Sequence, residues 1–88
     1  MLNFMDKKEA EGLGLRYQTF YETFHLWRTQ MPEPSPDRVE TAELLRQEGR
    51  ALFTRLNGTP VFSGERNMVR SYLGTVSEYL TERKDRLN

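Results

Sequence analysis

Residues 13–36, with the sequence LGLRYQTFYETFHLWRTQMPEPSP, decide the fold of this chain. The large apolar residues in this stretch recur at alternating spacings of four and three, which places them on one face of an α-helix. They are Leu13, Tyr17, Phe20, Phe24, Trp27 and Met31, and Tyr21 widens the same stripe. The opposite face is mainly polar, so the pattern predicts an amphipathic helix over residues 13–31.

Prolines end this helix, because each one removes a backbone donor and disfavours the helical conformation of the residue before it. Ser35 has the residue type of an N-cap, and Pro36 is suited to the first helical position. Asp37 adds negative charge at the positive end of the helix that follows. A second helix is therefore expected over residues 36–57.

The second helix also carries an apolar stripe, formed by Ala42, Leu45, Leu52, Phe53 and Leu56. Gly49 lies within this stripe, where the spacing would favour a leucine, and costs about 1 kcal/mol of helix propensity relative to alanine. That cost is tolerable if another helix backbone approaches closely at Gly49. The sequence NGTP at residues 57–60 ends the helix, and Gly58 is expected in a left-handed conformation.

A third helix is predicted over residues 64–86, with Ser63 as its cap and Phe62 packed against its first turns. Its buried stripe consists of Val69, Tyr72, Leu73, Val76, Tyr79, Leu80 and Leu87. Helices of similar length joined by short connectors run antiparallel. The fold class is therefore all-α, a small up-down-up three-helix bundle in one domain over residues 1–88.

Residues 1–12 are expected to form a flexible or short helical arm, because Gly12 and Gly14 weaken continuity with the first helix. The first residues include apolar side chains, but Asp6 and Lys7 interrupt them, so no signal-peptide core is present. No stretch of about 20 apolar residues is present to cross a membrane. The expected protein is soluble and cytoplasmic, and it does not act at a membrane.

Composition excludes several classes of function. Thirteen Lys and Arg balance thirteen Asp and Glu, and the charges alternate along the chain, which disfavours general polyanion binding. Without cysteine, the chain has neither disulfides nor a thiolate metal site. Arginine dominates the basic residues, and its planar guanidinium suits both protein interfaces and surface ion pairs.

The single histidine, His25, is the strongest candidate for chemistry in the sequence. Glu22 and His25 have the Glu-x-x-His spacing of di-iron bundles, but such a centre needs a second copy of the motif. Both residues fall on the polar flank of the first helix, so a solvated or edge-packed histidine is expected. The sequence therefore predicts no catalytic residues, no metal and no cofactor.

Surplus apolar surface is the main functional signal. Half of the aromatic residues lie between Tyr17 and Trp27. Leu15 and Leu26 point away from the main stripe of the first helix, and Leu44 and Ala51 form a similar pair on the second. The leading hypothesis is a non-enzymatic helical interaction module, an adaptor, inhibitor or accessory subunit. Its predicted contacts with a larger protein or a second copy are Phe4, Leu15, Tyr21, Leu26, Trp27 and Leu44.

Two alternatives remain open from the sequence. A DNA-binding regulator would use Arg66, Asn67 and Arg70 at the start of the third helix, although nucleic acid is the disfavoured partner. A homo-oligomeric structural protein would use the aromatic stripe of the first helix as its dimer core.

Overall fold

A computed structural model describes residues 6–31, 33 and 35–87, with side chains as far as Arg83. Within these residues the chain forms α1 (Lys7–Gln30), α2 (Pro36–Asn57), a 3-10 turn (Pro60–Phe62) and α3 (Ser63–Leu87). The predicted all-α three-helix bundle is confirmed, and its Cα atoms span 50 × 22 × 16 Å.

The first helix is longer than the sequence predicts, since α1 begins at Lys7 rather than at residue 13. Asp6 is its N-cap, and the Oδ1 atom of Asp6 accepts a hydrogen bond from the Glu9 backbone N–H at 2.8 Å. This cap and the negative charge of Glu9 stabilise the first turn, and they compensate for the low helix propensity of Gly12 and Gly14. The prediction that residues 7–12 belong to a separate arm is wrong.

The start of α2 matches the prediction, because the Ser35 hydroxyl accepts from the Asp37 N–H at 3.2 Å and Pro36 follows the cap. The predicted left-handed glycine at its end is wrong, since Gly58 has φ −89°. The Thr59 N–H donates to the Leu56 carbonyl at 3.0 Å instead. The chain then enters the 3-10 turn directly, which needs no residue with positive φ.

Ser63 is the first residue of α3 rather than its cap. Its φ of −62° and ψ of −35° are already helical, so the 3-10 turn leads without interruption into α3. Phe62 closes this turn by donating its backbone N–H to the Thr59 carbonyl at 2.9 Å. This turn, which begins at Pro60, reverses the chain between α2 and α3.

All three predicted stripes meet in one core. Buried residues come from the expected faces, and the predicted stripe members Tyr17, Met31, Phe53, Leu73 and Tyr79 are half-buried against them. The side chain of Leu87 lies outside the described residues. The buried apolar residues are Leu13, Phe20, Phe24, Trp27, Ala42, Leu45, Leu52, Leu56, Val69, Tyr72, Val76 and Leu80.

Aromatic side chains fill the space between α1 and α3. Phe24 stacks on Tyr72 with ring centroids 4.1 Å apart, and Trp27 meets Tyr79 edge-on at 5.2 Å. These rings hold the backbones of α1 and α3 apart, whereas α2 packs closely against α3. The crowded aromatics of the first helix therefore serve the core to a greater extent than the sequence suggested.

Gly49 lies in a crowded part of the core, the only glycine of the described residues at which an added Cβ would have a neighbour within 4 Å. A Cβ atom at this position would lie 2.6 Å from Leu73 Cδ2 and 3.1 Å from Phe20 Cε1. Side chains of α3 and α1 crowd this position, rather than the helix backbone that the sequence analysis expected. A larger residue would therefore fit only if the Leu73 side chain moved and Phe20 gave way slightly.

Gly49→Ala is expected to destabilise the protein by about 1 kcal/mol, because overpacking costs more than the gain in helix propensity. In a Leu73→Ala background the same substitution should cost at least about 1 kcal/mol less, since its closest neighbour is gone. Urea denaturation of the four proteins in this double-mutant cycle measures the difference. Equal costs in both backgrounds would show that Leu73 does not impose the glycine.

Arg38 closes the end of α1 that faces the α1–α2 connector. Its Nη1 atom donates to the carbonyl oxygens of Trp27 at 2.7 Å and Met31 at 2.6 Å. Helix C-termini leave such carbonyls without intrahelical partners, so a residue of α2 caps α1. The Trp27 indole Nε1–H donates in return to the Arg38 carbonyl at 2.9 Å.

The Arg38 guanidinium also contacts rings and a carboxylate. It lies 4.7 Å from the Trp27 ring centroid and 5.3 Å from that of Tyr79. Its Nε atom is 3.1 Å from a Glu33 carboxylate oxygen, an ion-pair contact without the alignment of a hydrogen bond. Arg83 of α3 pairs with the same carboxylate. Arg38 of α2 thus contacts α1, α3 and the α1–α2 connector.

Candidate functional site

An apolar groove runs between α1 and α2 on the outside of the bundle and has a volume of about 350 Å³. We call it the α1–α2 groove. Its residues from α1 are Leu15, Arg16, Thr19, Phe20 and Thr23, and those from α2 are Thr41, Leu44, Leu45 and Glu48.

Each helix contributes one exposed leucine to the groove. Leu15 and Leu44 line the groove together with the buried Phe20 and Leu45, so each exposed leucine lies above a core residue of its own helix. Leu15 is 66% exposed and Leu44 is 62% exposed. Both leucines are members of the predicted contact set, and the fold brings them to opposite walls of one groove.

Arg16 and Glu48 close one end of the α1–α2 groove. The Arg16 Nη2 and Nε atoms both donate to Glu48 Oε1, at 2.8 and 3.1 Å. Both side chains remain about half exposed, so the pair contributes at most about 1 kcal/mol to stability. Its main effect on the groove is to neutralise the two charged groups that line it.

Threonines line the remainder of the groove, at Thr19 and Thr23 on α1 and Thr41 on α2. Threonine presents both a methyl group and a hydroxyl. This surface can therefore contact aliphatic side chains through the methyl groups and polar side chains through the hydroxyls. Phe20 and Leu45 form the apolar floor. The groove therefore has the chemistry of a surface that binds apolar side chains.

The other two exposed members of the predicted contact set lie elsewhere. Leu26 is 46% exposed and follows Leu15 by eleven residues, which returns it to the same face of α1 beyond the end of the groove. Tyr21 faces α3 instead, where it contacts His25 and Tyr72 with centroid distances of 4.5 and 6.1 Å. The structure thus groups Leu15 with Leu44 and separates Tyr21 from them.

Trp27 does not belong to any exposed surface. Only 1% of its surface is accessible, and its indole is held by the Arg38 carbonyl. The prediction that Trp27 is a partner contact is wrong, because its position in the stripe and its hydrogen bond both direct it into the core. Phe4, also predicted as a contact, lies outside the described residues.

His25 packs at the edge of the bundle, as expected from its place on the flank of α1. Its ring makes edge-on contacts with Tyr21, Phe24 and Tyr72, and its Nε2 atom lies 3.4 Å from the Tyr72 hydroxyl. Glu22 is exposed. Across the described parts of the chain, no three His, Asp or Glu side chains come close enough together to hold a metal ion.

Two tyrosines near His25, Tyr17 and Tyr72, have raised pKa values. Burial raises the pKa of Tyr17, and neighbouring Tyr72, Glu65 and Tyr21 raise it further. Burial also raises the pKa of Tyr72, with a further rise from Tyr21 and an opposing effect of Arg28. Both phenols therefore bind their protons more tightly in the folded protein than in the unfolded chain.

A raised pKa in the folded state stabilises the protein below the unfolded value of about 10, and this contribution is lost as the pH rises above it. We expect the free energy of unfolding to fall above about pH 10. A Tyr17→Phe/Tyr72→Phe variant should show a smaller fall, since it has no phenol to ionise at either position. Urea denaturation between about pH 8 and 11, with phenolate absorbance as a second readout, measures this. Identical falls in both proteins would contradict the assignment.

The residues of the nucleic-acid alternative do not form a free basic surface. The Arg66 Nη2 atom donates to the Asn67 side-chain oxygen at 3.2 Å, and its Nη1 atom lies 3.5 Å from that of Asn57. Arg70 is exposed, but the first turns of α3 also carry the acidic Glu65, so the charge of this region is mixed. Arg66 and Asn67 are thus hydrogen-bonded to each other at the surface, and the nucleic-acid alternative stays a prediction.

Comparisons with family models, with curated proteins and with solved structures find no match to this chain. Among the described residues, none of the helices combines the length and apolar character needed to cross a membrane. The groove and its chemistry are therefore the basis of the functional proposal.

Sequence reasoning missed the threonines and the ion pair of the groove. The spacing of four between Thr19 and Thr23 was a local signal that they share one face of α1. The pairing of Arg16 with Glu48 had no such signal, because the two residues are 32 positions apart and meet only through the register of α1 against α2.

Proposed function

We propose that this chain is a non-enzymatic helical interaction module that binds a larger protein through the α1–α2 groove. The observation that carries the proposal is the convergence of Leu15 and Leu44, two exposed leucines from different helices, on the walls of one apolar groove. Grooves between helices commonly take an amphipathic helix, which inserts its apolar side chains. An adaptor, an inhibitor and an accessory subunit all act in this way, in the cytoplasm under this proposal.

The groove residues have distinct roles in this proposal. Leu15 and Leu44 contact the sides of the docked segment, and Phe20 and Leu45 form the floor on which its apolar side chains rest. Leu26 extends the same face of α1 and lengthens the contact. The central leucines should contribute most of the binding energy, since a few well-placed apolar residues usually dominate an interface.

A Leu15→Glu/Leu44→Glu variant is expected to lose partner binding and to keep its fold. Both side chains are largely exposed, so the free energy of unfolding should change by no more than about 1 kcal/mol for the pair. Val61→Glu is the matched control, because Val61 is 77% exposed and lies in the turn between α2 and α3, away from the groove. Binding is measured with a photo-crosslinking residue at Thr19, and Thr75 on α3 serves as the control position.

The expected result is one discrete crosslinked product from Thr19 that disappears in the double variant and persists with Val61→Glu. Equal crosslinking from Thr75, or a Thr19 product undiminished by the two glutamates, would contradict docking in the groove. Circular dichroism of each variant confirms that the helices are retained, so that loss of the product reports binding rather than unfolding.

A further inference from the structure

The exposed faces that flank the α1–α2 groove are acidic at one end. On α2, Asp37 and Glu40 precede Leu44 by seven and four residues, and on α1, Glu22 precedes Leu26 by four. Residues at these spacings are neighbours on one helix face, so the three carboxylates lie beside the exposed leucines. All three are exposed.

Among the described residues, no exposed lysine or arginine lies on the groove faces at the same end. Arg16 lines the groove, but its charge is compensated by Glu48 at the opposite end. Lys8 lies two helical turns before Leu15, and Arg55 lies three turns after Leu44, so both are beyond the Arg16–Glu48 end. Arg38 also lies near the end formed by Thr23 and Thr41, but its side chain is mostly buried and its charge is paired with Glu33. The exposed charged side chains that flank this end are therefore the three carboxylates.

The shape of the groove suits one helix. It runs between the antiparallel helices α1 and α2. A helix of another protein laid between them would join α1, α2 and α3 in a four-helix arrangement at ordinary packing distances. From Leu15 to Thr23 the groove extends about 12 Å along α1, which is about two helical turns. A docked helix would thus place two or three aliphatic side chains, spaced three or four residues apart, on the floor of the groove.

A second copy of this chain fits the same surface poorly. Two grooves facing each other are both concave, so their leucine walls would meet while their floors stayed apart, contrary to the close packing of stable interfaces. The chain as a whole is also neutral, with thirteen acidic and thirteen basic residues, and provides no net positive charge to match the acidic end.

From this juxtaposition of apolar groove and acidic rim, we propose that the occupant of the α1–α2 groove is a basic amphipathic helix of another protein. This inference rests on the proposed function and specifies the chemistry of the partner. Leucine-like side chains at helical spacing fill the groove, and lysine or arginine residues on the flanks of the helix face Glu22, Asp37 and Glu40. Charge complementarity then selects the partner and sets its orientation, while the apolar contacts provide most of the affinity.

Synthetic peptides of about five helical turns test this inference directly. One carries leucines at helical spacing with lysines elsewhere, a second replaces the lysines by glutamates, and a third scrambles the leucine–lysine sequence. Nitrogen-15 spectra of the protein report binding through the amide signals of Thr19, Thr23 and Thr41. The expected result is saturable binding of the first peptide at these positions, about tenfold tighter than the second, since exposed ion pairs are individually weak.

A Glu22→Lys/Glu40→Lys variant should remove this tenfold preference, while Glu78→Lys, an exposed change on α3, should leave it intact. Equal affinity for the lysine and glutamate peptides, or equal binding of the scrambled peptide, overturns the basic-helix inference and leaves groove docking standing. If no peptide shifts the groove amides and Thr19 captures no partner, the proposed function fails as well. Self-association of the protein through these same amides at rising concentration also overturns the inference.

Discussion

Trp27→Ala is expected to remove about 3–5 kcal/mol from the free energy of unfolding, the usual cost of truncating a buried tryptophan. Trp27 is among the largest fully buried side chains of the core and packs between Phe24 and Tyr79. Truncation leaves a cavity and also removes the indole donor to the Arg38 carbonyl. A domain of this size has only a modest core, so this loss approaches its entire stability.

Chemical denaturation followed by circular dichroism measures the effect, and the variant should show a shallow or absent folded baseline at room temperature. Leu26→Ala is the matched control, because its side chain is adjacent in sequence but 46% exposed, and it should change stability by about 0.5 kcal/mol or less. Trp27→Phe retains most of the ring volume and should lose less than the alanine variant. A Trp27→Ala protein as stable as Leu26→Ala would show that the tryptophan is not part of the core.

Arg38→Met is expected to cost about 2–4 kcal/mol. The methionine keeps an apolar stem against the rings of Trp27 and Tyr79, but it cannot donate to the carbonyls of Trp27 and Met31. Hydrogen bonds from a charged donor contribute about 1.5–3 kcal/mol each, and the two that are lost share one guanidinium, so their contributions do not add fully. The expected loss is large for a residue that sequence composition alone would place on the surface.

Arg50→Met is the control for this substitution, because Arg50 is exposed on the same helix. Its free energy of unfolding should differ from that of the parent by about 0.5 kcal/mol or less. Hydrogen exchange adds a local readout, since the amides of the last turn of α1 should exchange faster in Arg38→Met than in Arg50→Met. Equal stabilities for the two variants would show that Arg38 does not cap α1.

The helices and their buried faces could be predicted because they depend on local spacing. The stripe from Leu13 to Met31 follows from periodicity, and the end of the first helix near Met31 follows from proline chemistry. Both are confirmed, since the stripe is buried or half-buried and α1 ends at Gln30. The predicted end of α2 at Asn57 is also confirmed, but the predicted conformation of Gly58 is wrong. A left-handed glycine and a 3-10 turn both reverse a chain after a helix, and the residues near Gly58 are compatible with either.

The candidate site was predicted only in part. Leu15 and Leu44 were identified because each lies off its own stripe, but nothing in the spacing of either helix places them on one groove. Trp27 was predicted both as a member of the apolar stripe and as a partner contact. Its contacts with Tyr79 and Arg38, which come from other helices, place it in the core. Tyr21 was grouped with the leucines, yet its neighbours His25 and Tyr72 place it beside α3.

The sequence alone determined three amphipathic helices, their order and the side chains that each one buries, since these follow from residue periodicity and from proline and capping chemistry along one segment. Tertiary structure decided which exposed residues meet. In the register of α1 against α2, Gly49 lies against Phe20 and Arg38 lies against Trp27. The same register brings Leu15 and Leu44 to one groove and pairs Arg16 with Glu48. Contacts between residues far apart in the chain depend on this packing, which leaves no periodic signal in either helix.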